Sequence, residues 1–417
     1  MAEQGATVRA AKGLLVASVY LNGFLQGLIL VSFPASSTVL KAMHGFTDTQ
    51  YGTIFLPQVA LAVLGSVGGG VLARRLGLKA LLWSSLLISG TSQLLLTVTI
   101  WFTPSLAFAG ILLGTACLGL GFGLSGAPLN SYPPRFFPAR RDTAVVALHT
   151  ALGLGLAAGP LLAGWTIANH AWIAFPLSLL VVSLLLTAMV IWLKWPDMDE
   201  ALRSDDTAHM AAAAGIVEGE RPIVSASFWI FFAIAVLYAF AEGTFYNWAV
   251  IYLQDSKMLP MEVAAASLSV FWAAMVVGRL AASVAVLRLP AEWIWLAFPV
   301  LMICAFLALP YATTPALGIG LFALSGLACS AFFPLTVGLI SKRFDRHVAW
   351  VSSMMIAALM FGNGIGSFVI GLLRKQLALE QLYRFSSLYP LLVLILAMVL
   401  LRQARKPHAP SIESVST

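Results

Sequence analysis

Apolar residues in this chain come in long unbroken runs, with short polar loops between them. The runs fall at roughly 13–40, 51–73, 78–101, 105–133, 143–168, 172–194, 227–253, 262–287, 292–311, 315–341, 348–373 and 385–402. A helix of about 20 apolar residues crosses a hydrocarbon core roughly 30 Å thick and satisfies its own backbone groups on the way. The pattern therefore predicts an all-α polytopic membrane protein with twelve transmembrane helices. One long polar segment, "KWPDMDEALRSDDTAHMAAAAGIVEGERP" from Lys194 to Pro222, separates the sixth run from the seventh. It divides the chain into an N-terminal six-helix bundle (1–193), a cytoplasmic linker (194–226), partly helical around Ala211 to Ala214, and a C-terminal six-helix bundle with a short tail (227–417).

The halves are weakly alike, which predicts pseudo-symmetry. At an offset of 216 residues Gln26-Gly27 meets Glu242-Gly243 and Lys41 meets Lys257; at 208, Arg135-Phe136 meets Arg343-Phe344. Two related six-helix bundles point to a secondary transporter whose site lies near the membrane midplane, where the repeats face each other.

Composition narrows the class further. Hydrophobic residues make up 60% of the chain and charged residues only 10%, a balance that excludes a soluble protein. The net charge of +7 does not call for a nucleic-acid partner, because the basic residues sit between apolar runs. With both termini in the cytoplasm, Arg74, Arg75, Lys79, Arg135, Arg140, Arg141, Lys194, Arg203, Arg221, Arg288, Lys342, Arg343 and Arg346 are all cytoplasmic. Lys41, Lys257 and the loop with Arg374, Lys375 and Arg384 dissent. The expected location is the bacterial inner membrane, and the first apolar run, lacking an Ala-x-Ala site, reads as a retained helix. The expected partners are a small-molecule solute, protons and the lipid bilayer. Cys117, Cys304 and Cys329 lie within apolar runs, no metal-ligand cluster stands out, and no Gly-Lys-Ser/Thr phosphate loop occurs, so no cofactor is expected.

Candidate chemistry centres on "YAFAEGTFYNWAVIYL", residues 238–253, where Glu242 interrupts an apolar run. A charged carboxylate at a helix centre costs on the order of 2.5–3.5 kcal/mol on insertion scales, so Glu242 should face the bundle interior or a watery cavity. Tyr238 and Tyr246 share its helix face. The matching stripe on the first helix is Ser18, Asn22 and Gln26, and the two stripes are expected to converge on one cavity. His149, Gln58, Asn130 and Asn363 are further candidates for binding solute or protons, with helix bridging as the plainer reading of each. Asn247 and Trp248 flank the Glu242 face. Arg279 reads as a gate residue near the cytoplasmic side.

The loop "GVLARRLGLKALL", Gly70 to Leu82, resembles the signature loop of the major facilitator superfamily through Gly70, Leu72, Ala73, Arg75, Gly77, Lys79 and Leu82. Arg74 stands where the pattern has Asp, and Leu78 replaces its second Arg. The resemblance implies two bundles moving by alternating access, with Gly70, Arg75, Gly77 and Lys79 in a gating loop and Gly278-Arg279 in its degenerate second copy. Within the superfamily, Asn130, Leu148, His149, Gly153, Gly155, Gly159 and Pro160 resemble the fucose-proton symporter group. The chain lacks that group's carboxylates in the first and fourth helices, having Asn22 and Gln26 in the first. "GLAAGPLLAG" also resembles a motif of proton-driven drug exporters. The resemblance implies a carrier of a small polar, sugar-like solute; proton coupling is expected from Glu242 rather than carried over from that group, and an exporter of amphipathic compounds is the alternative.

An enzyme is the reading from another class. "GLSG", Gly123 to Gly126, has the form of an intramembrane serine protease motif, with His149 as the base within its reach. Twelve helices in two halves fit that class poorly, and the expectation is a carrier without enzymatic activity.

Overall fold

Every apolar run is helical in the computed structural model, which describes residues 2–195 and 222–404. Among the described residues, twelve helices are long and apolar enough to cross a membrane. The first six spans are Gly13–Leu30, Asp48–Ala73, Leu78–Trp101, Pro104–Phe136, Thr143–Ala168 and Ala174–Trp192. The last six are Ala226–Asn247, Met261–Ala285, Ala291–Tyr311, Pro315–Arg343, Trp350–Leu373 and Leu379–Gln403. The linker residues 196–221, including Ala211 to Ala214, Arg203 and Arg221, lie outside the described residues.

Prolines interrupt two of the expected runs. The first run, expected to reach residue 40, ends its helix at Leu30 and continues as short helical pieces, Ser32–Ala35 and Ser37–His44. Pro34 has no N–H to offer the Leu30 carbonyl, so the helix cannot continue through it. The tenth span breaks in the same way, into Pro315–Cys329 and Phe332–Arg343, because Pro334 cannot donate to the Ser330 carbonyl.

Packing repeats itself between the halves. The first span packs on the fifth, the second on the fourth and the third on the sixth; the seventh packs on the eleventh, the eighth on the tenth and the ninth on the twelfth. Two seams join the halves, the fifth span on the eighth and the second on the eleventh. Adding six to each member of one seam gives the other, which is the signature of a two-fold relation. Thr38 Oγ1 donates to Gln254 Oε1 at 2.6 Å, and these residues are separated by the same 216 positions as Gln26 and Glu242.

Polar contacts tie the halves together at the end far from the linker. Asp48 sits between Lys41 Nζ (2.6 Å) and Arg374 Nε (2.9 Å), while Lys41 also reaches Asp255 at 3.1 Å. Tyr51 Oη donates to the Asn247 carbonyl at 2.6 Å, and Thr49 Oγ1 to that of Gly371 at 2.9 Å. Lys257 and Arg384 pair with Glu380. Four of the five basic residues that dissented in the sequence thus have acidic partners, which weakens their force as topology signals. Toward the linker end Val146 on the fifth span and Val284 on the eighth are 58% and 59% exposed.

The signature loop is anchored within the N-terminal half. Gly77 takes a φ of +81°, which a residue with a Cβ rarely adopts, and turns the chain into the third span. Lys79 Nζ donates to the carbonyls of Ile191 and Leu193 at 2.9 and 3.0 Å, covering the C-terminal end of the sixth span. Arg75 is exposed and Gly70 faces open space.

Candidate functional site

A cavity of about 230 Å³ lies between the two halves, walled by the first, second, fourth, fifth, seventh, eighth and eleventh spans. Glu242, Tyr246, Gln58, Asn363 and Arg279 all line it, together with Asn247 and Trp272. Arg279 is exposed, so the cavity communicates with the surroundings on its side. Glu242 is 7% exposed and sits in the wall. A helix that is apolar all round carries little information about its own rotation, and here the closed packing of the seventh span on the eleventh and twelfth turns its Tyr238–Glu242 face inward.

The carboxylate is held from two sides. Tyr238 Oη, one turn below it, lies 3.0 Å from Glu242 Oε1 and 2.8 Å from the carbonyl of Cys329. Asn363 Nδ2, on the eleventh span, donates to Glu242 Oε2 at a long 3.4 Å. That approach depends on Gly243, where a Cβ would stand 2.7 Å from Asn363 Oδ1. Arg279 does not pair with Glu242; its Nε donates to the Ser330 carbonyl at 3.0 Å and its Nη2 to Met275 Sδ at 3.2 Å. The Ser330 carbonyl is free to accept because Pro334 leaves it without its helical donor. Thus both the carboxylate, through Tyr238, and the guanidinium, directly, attach to the break in the tenth span.

Among the described residues, three further polar atoms of this wall are buried without a partner, Asn247 Oδ1, Asn363 Oδ1 and Trp272 Nε1. Asn247 Nδ2 is already committed to Ser367 Oγ at 2.7 Å, and the Trp272 ring leans on that of Tyr246 with centroids 5.1 Å apart. The opposite wall is different in kind. Leu30, Val31, Phe55, Phe122, Leu152 and Leu156 come from the N-terminal half, and among the described lining residues Gln58 is its one polar side chain.

The expected convergence of two polar stripes does not occur. Asn22 and Gln26 are buried, but they face the third span: Gln26 Nε2 donates to Ser89 Oγ at 3.1 Å and approaches Asn22 Oδ1 at 3.4 Å. In a membrane any protein interior can accept a polar stripe, and Ser89 offers these amides a partner nearer than the cavity. Asn130 is exposed and its Nδ2 donates to its own helix at the Gly126 carbonyl, 2.9 Å away. His149 is exposed on the fifth span, within electrostatic reach of Arg279 but not in the cavity wall. Tyr238 stands behind Glu242 rather than in the lining. Ser125 of the "GLSG" stretch is buried and donates to the Phe122 carbonyl at 2.7 Å, a back-bonded serine in a packed helix.

The sequence reading missed Trp272, the Cys329 and Ser330 carbonyls and the apolar wall. Pro334, four residues after Ser330, was the available signal for the freed carbonyl. Nothing in the local pattern around Trp272 distinguishes it from the packing aromatics nearby.

Residues 15–321 match the Major Facilitator Superfamily. The glucose/mannose transporter GlcP of Bacillus subtilis (strain 168) is 25% identical over 61% of this chain and 63% of its own length. The 3-(3-hydroxy-phenyl)propionate transporter of Escherichia coli (strain K12) is 25% identical over 60% of this chain and 59% of its own. The chain thus spans about three fifths of the length of these curated relatives. In fold it resembles the nucleoside transporter NupG, with a TM-score of 0.73 at 16% identity over 94% of this chain and 100% of that one. It also resembles a bacterial homologue of the human lysosomal transporter Spinster, in an inward-facing and occupied conformation, with a TM-score of 0.68 at 15% identity over 95% of this chain and 98% of that one.

Proposed function

The chain belongs to the major facilitator superfamily, a family of transporters and not of enzymes, and we propose that it is a proton-coupled carrier of a small organic solute. The observation that carries this reading is Glu242, a carboxylate in the wall of a cavity between the two halves, hydrogen-bonded by neutral groups rather than ion-paired. A buried group of this kind is costly to retain and is a functional candidate by default. Proton exchange at Glu242, timed by which end of the cavity is open, would link the solute to the proton gradient.

With the termini and linker in the cytoplasm of a bacterial inner membrane, the conformation is inward-facing. The tied end with Asp48 lies outside, and the cavity opens past Arg279 toward the cytoplasm. The two seams are the surfaces on which the halves would rock, around a site near the midplane.

The relatives' names cover sugars, an aromatic acid and nucleosides, so the choice of solute rests on the cavity itself. A sugar-like polyol was expected from amides on both sides of the site. With Asn22, Gln26 and Asn130 elsewhere, one wall offers a polyol almost no partners, and an amphipathic solute suits the cavity better. The same apolar wall supports the second reading, an exporter of amphipathic compounds.

Glu242→Gln tests coupling. The amide keeps the size of the carboxyl group and most of its hydrogen bonding but cannot release a proton. The variant should bind solute and perform counterflow at near-parental rates, yet fail to accumulate solute under a pH gradient. Accumulation at the parental level would remove the basis of the reading. Imposing the gradient in either direction across proteoliposomes separates import from export.

A further inference from the structure

We propose that the cavity takes a small monoanion with an apolar body, of the class of a carboxylate on a single hydrocarbon ring, and that one proton on Glu242 accompanies it. This rests on the reading of Glu242 as the proton carrier. Shape and polarity come first. A cavity of about 150 Å³ holds a benzene ring. The 230 Å³ available here therefore admits one ring and a polar substituent. Every charged group and nearly every polar group of the lining lies on the C-terminal wall, in Glu242, Tyr246, Asn247, Trp272, Arg279 and Asn363. A solute with hydroxyls all round its rim would press several of them against Val31, Phe122, Leu152 and Leu156. Each hydroxyl left without a partner costs about 1–3 kcal/mol. A ring laid against that wall loses nothing, and its one polar edge meets the other.

That polar edge has a defined chemistry. Trp272 Nε1 is a buried donor without a partner and Arg279 presents a guanidinium, beside the unpartnered acceptors Asn247 Oδ1 and Asn363 Oδ1. The indole N–H and the guanidinium both seek an acceptor, and a carboxylate is the acceptor that suits them together.

Charge balance points the same way. Arg279 on the eighth span and Glu242 on the seventh are the charged side chains of the lining. Around them stand His149 on the fifth span, Tyr238 and Tyr246 on the seventh, and Cys329 on the tenth. With His149 neutral and the phenols and thiol protonated, the empty cavity holds one positive and one negative charge. Protonating Glu242 alone leaves one uncompensated positive charge in a site that must pass through a closed, desolvated state. A monoanion arriving with the proton restores neutrality, while a neutral solute does not. Burying an unpaired charge is costly. The loaded and the empty carrier are then both neutral, and each can reorient.

The test uses purified full-length protein and three probes of similar bulk: 4-hydroxybenzoate, 4-hydroxybenzamide and glucose. Quenching of tryptophan fluorescence and thermal stabilisation report binding, and the pH of a weakly buffered solution reports proton uptake. The benzoate should bind at least about tenfold more tightly than the amide, since the charged hydrogen bonds are roughly twice as strong as neutral ones. Its binding should take up about one proton per molecule bound, a stoichiometry that Glu242→Gln abolishes while the benzoate still binds. Arg279→Gln should erase the preference for benzoate over benzamide. Equal or tighter binding of the amide or of glucose by the parent protein, or benzoate binding without proton uptake, overturns the proposal, as does failure of the benzoate to bind. None of these results touches the coupling reading, which Glu242→Gln accumulation assays decide separately.

Discussion

Tyr238 has one hydroxyl proton and two oxygens within reach, the Cys329 carbonyl at 2.8 Å and Glu242 Oε1 at 3.0 Å. When Glu242 is protonated it donates to the phenol oxygen, Tyr238 donates to Cys329, and all three groups are satisfied. When Glu242 is ionised, Tyr238 must turn its proton to the carboxylate, and the Cys329 carbonyl loses that donor. A proton on the seventh span is thereby felt at the break in the tenth. Tyr238→Phe removes the link but keeps the ring, which stacks on Phe332 with centroids 5.2 Å apart. Leaving the carboxyl and carbonyl groups short of a partner should lower stability by about 1–3 kcal/mol. Counterflow should persist while pH-driven accumulation falls, so the ratio of the two rates separates the relay from a packing role. A parallel loss in both rates would mark Tyr238 as structural only.

At the scale of elements, the break in the tenth span is where proline chemistry and cavity chemistry meet. Pro334 lies in the first turn of the Phe332–Arg343 segment, where its missing N–H disturbs no bond of that segment but leaves Ser330 to Arg279. Pro334→Ala restores an N–H that competes with Arg279 for the Ser330 carbonyl. The tenth span should then tend toward a continuous helix, since Ala is favoured over Pro in a helix interior by roughly 3 kcal/mol. We expect a higher thermal midpoint and a markedly slower turnover; a raised midpoint with unchanged turnover would show that the break plays no part in transport. Helix existence was legible in the sequence and helix facing was not. The twelve runs, the polar linker and Glu242 could be read directly, because apolar length and an isolated carboxylate are strong signals. Which neighbour a polar stripe meets depends on helix rotation, and Asn22 and Gln26 lie on the helix that pairs with the third span through Ser89. The break at Ser330 needed the carbonyl four residues before Pro334 to be followed to its partner on another helix.

For the whole molecule, the two-fold relation makes the two seams equivalent, so something must hold one end closed while the other opens. The sequence placed that function in the signature loop at the linker end, but there Arg74 replaces the expected Asp and Lys79 is occupied with the sixth span. In this conformation the charges that join the halves are at the opposite end, and Asp48 is their hub. It pairs with Lys41 from its own half and with Arg374 from the other, and both its partners and Asp48 itself are mostly buried. Partial burial makes such pairs stronger than surface ones, which contribute only about 0–1 kcal/mol each. Asp48→Asn keeps the size and much of the hydrogen bonding but leaves Lys41 and Arg374 close together without their shared anion. Losing this hub should favour opening of the far end by roughly 1–2 kcal/mol, a five- to thirty-fold change in the ratio of the two states. Thr38 is the reporter of that opening, because in this conformation it meets Gln254 across the two-fold. A cysteine introduced at Thr38, in a protein with Cys117, Cys304 and Cys329 replaced, should react with a membrane-impermeant maleimide supplied on the Asp48 side several times faster in the Asp48→Asn background. If the rate is the same with and without Asp48, the closed end is held by packing along the seams or by the remaining Lys41–Asp255 pair, and Asp48 is not the latch.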